Sequence, residues 1–459
     1  MNLDKFKIRD NALMHEALKK IEKNKYGFIL TSTSKGKING IATDGDIRRY
    51  LIGGGNLSDT ISNCVNHDFV FESPKTSREK LIKRLDHRIR VIPILNENFE
   101  LVDIVSRNHI PIQSEEAVYA RSRSPVRISF GGGGSDLTDY FSKDNGAVIS
   151  STISLYSHAT LKVRPDQKIF ISSNDLNKSI QGNNLDEILK KKNNFSLIQS
   201  ILAIINPTFG FELFLYSDYP MNSGLGGSAA ITAAILGCFN EFRQDKWDSH
   251  ELAEIAFEAE RLRMGVLGGW QDQYATVFGG FNFIEFQYEQ NIVHPLRIHP
   301  DILMELEESL VLCNTGLVHS SHEIHNDQKI NMKSKSFESL LKKQVELSYR
   351  MRNQLLRGRL IDFGHSLHEA WEAKKLFSSK ISNAIIDQIY LDALSNGAIG
   401  GKLLGAGGGG FFIFYCPPFH KLKLLEYLDR NQFSVIPFIF ESQGLRSSTI
   451  REKNTNINF

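Results

Sequence analysis

The sequence predicts an α+β fold in more than one domain, and three observations predict it. At 459 residues the chain has the length of about three domains. Its strand-like and helix-like segments mix without the strict alternation that builds a doubly wound sheet. Residues 220–230, Pro-Met-Asn-Ser-Gly-Leu-Gly-Gly-Ser-Ala-Ala, open directly into the apolar run 231–242, which marks a helix N-terminus stripped of side chains. Bare backbone N–H groups there, backed by the positive end of the helix dipole, form a concave site for a polyphosphate.

Composition narrows the class. Hydrophobic residues make up 41%, charged residues 23%, and the net charge is +2, so neither nucleic acid nor an acidic membrane is implied as a partner. The short basic run 190–192 reads as solvated surface. No apolar run approaches the length of a membrane span, and the first residues, with Lys5, Lys7, Arg9 and Asp10, lack a secretory apolar region. A cytoplasmic location is therefore expected. Cys64, Cys238, Cys313 and Cys416 lie far apart and read as buried free thiols rather than a metal site or disulfide framework.

Residues 1–115 read as an imperfect internal repeat. Residues 11–22 have helical spacing, 26–30 form a short apolar strand, 35–37 a turn, and 38–43 a second strand leading into a helix over 46–51. Residues 77–85, 91–95, 96–98 and 101–106 repeat that order. Within the first copy, Gly40-Ile-Ala-Thr43-Asp-Gly-Asp46-Ile-Arg-Arg49 resembles the signature of a tandem CBS-domain pair. The resemblance implies that Thr43 and Asp46 hold the ribose of a regulatory adenine nucleotide. The second copy departs from the pattern, with Asp103, Ser106 and His109 at the matching positions, so at most one good ligand site is expected. From the residues alone, a module that only packs or mediates a homodimer stands equally open.

Residues 113–118 read as a connection. A second domain, residues 119–300, begins with an alternating strand over 120–130. A third, residues 301–450, carries helical patterns over 337–356 and 384–395, then strands near 411–415 and 438–441. The tail, 451–459, is polar and expected to fray.

The segment at 220–230 fits neither common phosphate-loop template. It lacks the Gly-Lys-Ser/Thr ending of a Walker loop. Gly224, Gly226 and Ala229 satisfy a dinucleotide-type spacing, but Pro220 and polar residues separate them from the strand-like 211–216, and a second helix, capped near Asp248 and Glu251, follows where a strand is needed. Two further glycine-rich segments stand far away: Phe130-Gly-Gly-Gly-Gly-Ser-Asp136 and Lys402-Leu-Leu-Gly-Ala-Gly-Gly-Gly-Gly410. Each permits close approach of backbone to a ligand, and each alone is also compatible with a bulge or tight packing.

In this order, the three segments resemble the motifs of the GHMP kinase superfamily across residues 120–445. The resemblance implies two α+β subdomains with ATP and substrate in the cleft between them. Within the superfamily, Ser124-Pro-Val-Arg-Ile-Ser-Phe-Gly-Gly-Gly-Gly-Ser-Asp136, Thr152-Ile-Ser-Leu-Tyr156, Gly269-Trp-Gln-Asp-Gln-Tyr-Ala275 and Phe278-Gly-Gly-Phe-Asn-Phe283 look most like the kinases of D-glycero-D-manno-heptose 7-phosphate. Ser223, Gly224, Leu225, Gly226, Gly227, Ser228 and Ala229 then match the ATP-phosphate cradle. Ser228 and Glu260 match ligands of Mg²⁺, and Gly227 stands where many relatives carry a first serine. Asp272 matches the residue that takes or orients the sugar hydroxyl proton, and Arg127 a cation close to it that stabilises the developing alkoxide. Asp136 and Ser135 fall at the sugar.

Read individually, these residues have plainer alternatives. Leu252, Ile255, Ala256, Ala259 and Leu262 form an apolar stripe with Glu260 on its edge, which also describes an exposed glutamate on an amphipathic helix. Asp272 could be a simple helix cap. His319, His322 and His325 share a helical spacing, but a polar loop after the strand-like 310–313 is favoured over zinc, and the resemblance implies that this loop lies near the cleft. The expectation is an ATP-dependent sugar kinase acting on a sugar phosphate, supplying a precursor of nucleotide-activated heptose for surface glycans. The alternatives are another sugar acceptor on the same fold, or a catalytically silent adenylate-sensing protein.

Overall fold

The computed structural model describes residues 3–85, 89–107, 109–110, 117–192, 195–317, 324, 327 and 335–451. They fall into two units, residues 1–116 with 451–459, and residues 117–450.

In the first unit, strand Lys7–Arg9, helix Met14–Asn24, strands Phe28–Ser32 and Ile38–Thr43, and helix Asp44–Ile52 form the first repeat. Phe28–Ser32 is the central strand, parallel to Lys7–Arg9 and antiparallel to Ile38–Thr43. The second repeat is smaller: helix Arg78–Arg84 and the antiparallel pair Val91–Leu95 and Leu101–Ser106. One buried cluster joins Phe28, Leu30 and Ile38 of the first repeat to Leu95, Leu101 and Ile104 of the second. A repeat of this size cannot bury its apolar face alone, and pairing completes the core.

The second unit is built on an eight-stranded sheet. The long strands Ala117–Gly131 and Gly146–Val163 pair antiparallel. The first half of Gly146–Val163 also pairs with Phe281–Phe286 and its second half with Phe211–Ser217. Helix Gly227–Asn240 is buried along nearly its whole length, as its composition, apolar all round, requires. A second, four-stranded sheet runs in the order Gly400–Leu403, Phe411–Tyr415, Leu310–Asn314, Ser434–Val435, with helices Lys335–Leu356 and Leu360–Lys375 nearby in sequence and core. Phe130, Leu225, Leu404 and Phe411 share one buried cluster. Each comes from or adjoins one of the three glycine-rich segments, so the hydrophobic core itself brings those segments together.

The C-terminal end differs from expectation. Residues 438–441 form no strand; Phe440 makes an isolated bridge to Ile153 and packs its ring against Phe130 and Phe281. Their apolar character serves ring packing. The strand lies later, at Arg446–Arg451, paired with Ala117–Gly131. Among the described residues no helix is long and apolar enough to cross a membrane.

Candidate active site

A cleft of about 570 Å³ is lined by all three glycine-rich segments, a volume in the usual range for a small-molecule site. At its centre helix Gly227–Asn240 begins. Its N-cap, Gly226, has φ 79° and offers no side-chain cap, so the first N–H groups of the helix stay open to a ligand. Gly224 has φ 76°, and a Cβ there would sit 2.7 Å from the Leu404 carbonyl oxygen. Only glycine lets the third segment back onto this loop so closely. Leu225 is fully buried and contributes backbone, its carbonyl accepting from the Arg127 N–H at 3.0 Å.

Ser228, in the first turn of that helix, donates its hydroxyl proton to Glu260 Oε1. Glu260 stands in a π-helical turn, Glu258–Arg263, that continues helix Ser249–Phe257. Glu260 is 1% exposed there, so the edge of the apolar stripe on which helical spacing places it faces inward. Such turns recur at functional sites. Gln273 donates to Glu260 Oε2, and Arg261 Nη2 lies 3.8 Å from the same oxygen. Burial pushes the Glu260 pKa up, Asp272 adds to this, and the Arg261 charge and the hydrogen bonds from Ser228 and Gln273 only partly oppose it. A hydroxyl and a desolvated carboxylate at a bare helix N-terminus fit a magnesium ion, which takes one or two protein oxygens and fills its shell with water and phosphate. No cluster of three acidic, histidine or cysteine ligands occurs among the described residues.

Arg127 and Asp272 meet across the cleft. Strand Ala117–Gly131 presents Arg127, 4% exposed, whose Nε and Nη2 lie 2.8 and 2.7 Å from Asp272 Oδ1. Its Nη1 donates to the Gly224 carbonyl at 2.7 Å. One guanidinium therefore ties the acidic residue to the glycine-rich loop at the helix start. Asp272 sits in the first turn of helix Gln271–Phe278, but the carboxylate that caps this helix end is Asp136. Its Oδ2 accepts from the Gln271 N–H at 3.1 Å and its Oδ1 from the Gly134 N–H at 2.9 Å. A Cβ on Gly269 would fall 1.9 Å from Asp136 Oδ2, which accounts for glycine there. Asp136 is 3% exposed and lines the cleft; burial raises its pKa, with Asp272 adding to the effect.

Ser135 is a correction to the sequence reading. Its hydroxyl donates to the carbonyls of Gly132 and Ala147 and accepts from the Ala147 N–H, and it is absent from the cleft lining. It closes the glycine turn so that its neighbour Asp136 can point inward.

Sequence reasoning assigned no role to Lys374, Lys402 or Arg261, all of which line the cleft. Lys374 Nζ donates to the carbonyls of Leu403 and Gly405 at 2.8 and 2.6 Å, and Lys402 Nζ to those of Ser129 and Phe130 at 3.1 and 3.4 Å. Lys402 was visible as the first residue of the third segment; nothing local marks Lys374. His319, His322 and His325 lie outside the described residues.

Thr43 and Asp46, in the first unit, form a reciprocal helix cap. The Thr43 hydroxyl and N–H both donate to Asp46 Oδ2, at 2.6 and 2.8 Å, and the Asp46 N–H donates to Thr43 Oγ1 at 3.2 Å. Arg49 pairs with Asp46 Oδ1.

Comparison with known proteins follows the same division. The profile of the GHMP kinases N terminal domain matches residues 192–280 and that of the GHMP kinases C terminal domain residues 351–434. The CBS domain profile matches residues 1–53 and 61–110. D-glycero-alpha-D-manno-heptose 7-phosphate kinase of Campylobacter jejuni is 36% identical over 334 residues, covering 71% of this chain and 98% of that protein. The crystal structure of a D-glycero-D-manno-heptose 1-phosphate kinase from Bacteroides thetaiotaomicron superposes with a TM-score of 0.60 at 29% identity, covering 72% of this chain and 99% of that one. Lactococcus lactis galactokinase, solved with galactose, gives a TM-score of 0.58 at 18% identity over 72% of this chain and 95% of that one, a likeness of fold alone.

Proposed function

The chain belongs to the GHMP kinase family, whose members use ATP as phosphate donor, and on that premise we propose that it transfers the γ-phosphate of ATP to the anomeric hydroxyl of D-glycero-D-manno-heptose 7-phosphate. The observation that carries the reading is the convergence of Arg127, Asp272 and Gly224 beside the bare helix end. Phosphoryl transfer asks a protein mainly for positioning and charge stabilisation, and these contacts supply both.

The N–H groups of residues 223–229 cradle the triphosphate. Ser228 and Glu260 hold Mg²⁺, which when bound neutralises charge on the phosphates. Both Arg127 contacts fall on Asp272 Oδ1, which leaves Oδ2 for the acceptor. Asp272 takes the proton of the anomeric hydroxyl as its oxygen attacks the γ-phosphorus and the bond to ADP breaks. Arg127 orients the carboxylate and stabilises the alkoxide that develops. Asp136 hydrogen-bonds sugar hydroxyls. In this reading the cleft lies between residues 119–300, with the cradle and base, and residues 301–450, of which the last strand, Arg446–Arg451, returns to the first sheet.

The N-terminal pair, residues 1–115, binds an adenine nucleotide at Thr43 and Asp46 and biases the kinase. The heptose acceptor follows the Campylobacter jejuni relative, and a cytoplasmic site of action follows from the need for ATP. The decisive experiment measures ADP release with heptose 7-phosphate beside a panel of other sugars and sugar phosphates, with the product identified by phosphorus NMR. Turnover of another acceptor in preference to heptose 7-phosphate would replace the assignment.

A further inference from the structure

Lys374 and Lys402 line the cleft while only 8% and 4% exposed. Among the described residues neither makes an ion pair with a carboxylate. Buried ammonium groups without a partner are costly unless a ligand neutralises them. Burial accordingly pushes both pKa values down, Lys402 to about 7 and Lys374 well below its ordinary value. Lys402 and Arg127 add to the effect on Lys374, while on Lys402 Arg127 adds and Asp136 opposes.

When protonated, each Nζ gives two of its three N–H groups to backbone carbonyls in or directly beside the first or third glycine-rich segment, which leaves one donor on each for a ligand whose charge holds the proton in place. The loops that shape the cleft thereby fix both ammonium groups. Arg127 is already engaged by Asp272 and Gly224.

A second, independent observation concerns oxygen atoms. Ser129 Oγ, Gln271 Oε1 and Gln344 Oε1 are buried without a hydrogen-bond partner among the described residues, and all three residues line this cleft. The position a Cβ would take on Gly133 lies 3.7 Å from Gln271 Nε2 and 3.9 Å from Ser129 Oγ, so these two side chains converge. Buried acceptors of this kind call for O–H donors, which a polyol supplies.

We propose that this end of the cleft is a two-part acceptor subsite, in which Lys374 and Lys402 grip the acceptor's own phosphate and Ser129, Gln271 and Gln344 hydrogen-bond its hydroxyls. The inference rests on the sugar phosphate kinase reading and names the residues that set its substrate class. A neutral sugar would leave the two ammonium groups uncompensated; a phosphomonoester matches them.

The test compares kcat/KM for heptose 7-phosphate with kcat/KM for the phosphate-free heptose, in the full chain and in Lys374→Met and Lys402→Met. Loss of a charge-assisted contact should lower this ratio by about tenfold or more in each variant, mainly through KM for the phosphorylated acceptor. A ratio within twofold of wild type, with both acceptors weakened alike, would show that the lysines only clamp the loops, and it overturns the subsite. Should a Met variant fail to fold by circular dichroism, Lys→Gln at the same position keeps an N–H donor for the carbonyls and is read by the same ratio. Inorganic phosphate needs no variant: it should compete with the acceptor in the wild-type enzyme, and absence of competition counts against the proposal. A wild-type enzyme that ignores heptose 7-phosphate but prefers another sugar phosphate to its parent sugar removes the functional assignment and leaves the subsite standing. No preference for any phosphorylated acceptor removes the subsite.

Discussion

Asp46 in the N-terminal unit and Glu260 in the cleft are both carboxylates bonded to a hydroxyl at a helix end, yet the fold treats them oppositely. At Asp46, burial raises the pKa, but the hydrogen bonds from Thr43 and the charge of Arg49 outweigh it, and the net shift is downward. Glu260 has a hydroxyl, an amide and a guanidinium 3.8 Å away around it, and burial still wins: its pKa is raised. The first environment stabilises a charge already present. The second keeps a carboxylate short of compensation, as Asp136 also is, and shortfalls of this kind concentrate where a ligand completes the site.

The largest effect that could break this contrast is catalytic. Asp272→Asn keeps the size of the side chain and a partner for Arg127 but removes the proposed proton acceptor. Turnover should fall about 10²-fold or more with KM for ATP little changed. Near-normal turnover would place the base elsewhere and remove Asp272 from the mechanism.

Glu260→Gln separates activity from stability. A carboxyl with a raised folded pKa holds its proton more tightly folded than unfolded, so its ionised form counts against stability at neutral pH. The substitution should abolish Mg²⁺-dependent turnover while raising stability of the metal-free protein by about 1 kcal/mol, on the order of 2 °C in Tm. Gln273 Oε1 has no partner among the described residues and can turn to accept from the new amide. Melting curves with and without Mg²⁺ and ADP check this: the wild type should gain from the ligands and the variant should not. A lower Tm for the metal-free variant would mean that Glu260 is compensated within the protein.

Lys402 offers a pH test. With a folded pKa of about 7 against an ordinary 10.5, the unfolded chain binds more protons between those values, so stability should rise with pH across that window. Lys402→Met removes this contribution. Its Tm advantage over wild type should be full below pH 7 and shrink above it, whereas a difference independent of pH would mean that the lysine is charged at no cost.

Much of this arrangement was legible in the sequence, and the parts that were not share a physical cause. The bare helix start at Gly227 was legible because the absence of side chains is itself visible, and the helix does begin there without a side-chain cap. The π-helical turn at Glu258–Arg263 was not, since a regular 3.6-residue spacing gives no sign of one wider turn. Lys374 lies in an amphipathic helix, where a lysine ordinarily reads as surface. Arg446–Arg451 pairs with a strand distant in the chain, and its polar side chains do not announce it. Residues 438–441 do have the apolar look of a strand, which packing of Phe440 against Phe130 and Phe281 accounts for instead.

Asp46 carries the smallest expected effect and the sharpest test of the contrast. The cap it forms with Thr43 explains its residue type without any ligand. Asp46→Ala should lower stability by about 1 kcal/mol through loss of the cap alone, opposite in sign to Glu260→Gln. The acid-linked part follows from the lowered pKa: stabilisation is full above the ordinary carboxylate range and is lost as pH falls through the folded value. If the pair also binds a nucleotide, AMP should raise the Tm of the wild-type chain and shift its kinase rate, and both responses should disappear in Asp46→Ala. If AMP alters neither quantity while the stability loss remains, Asp46 is a cap only, and regulation through this residue is excluded.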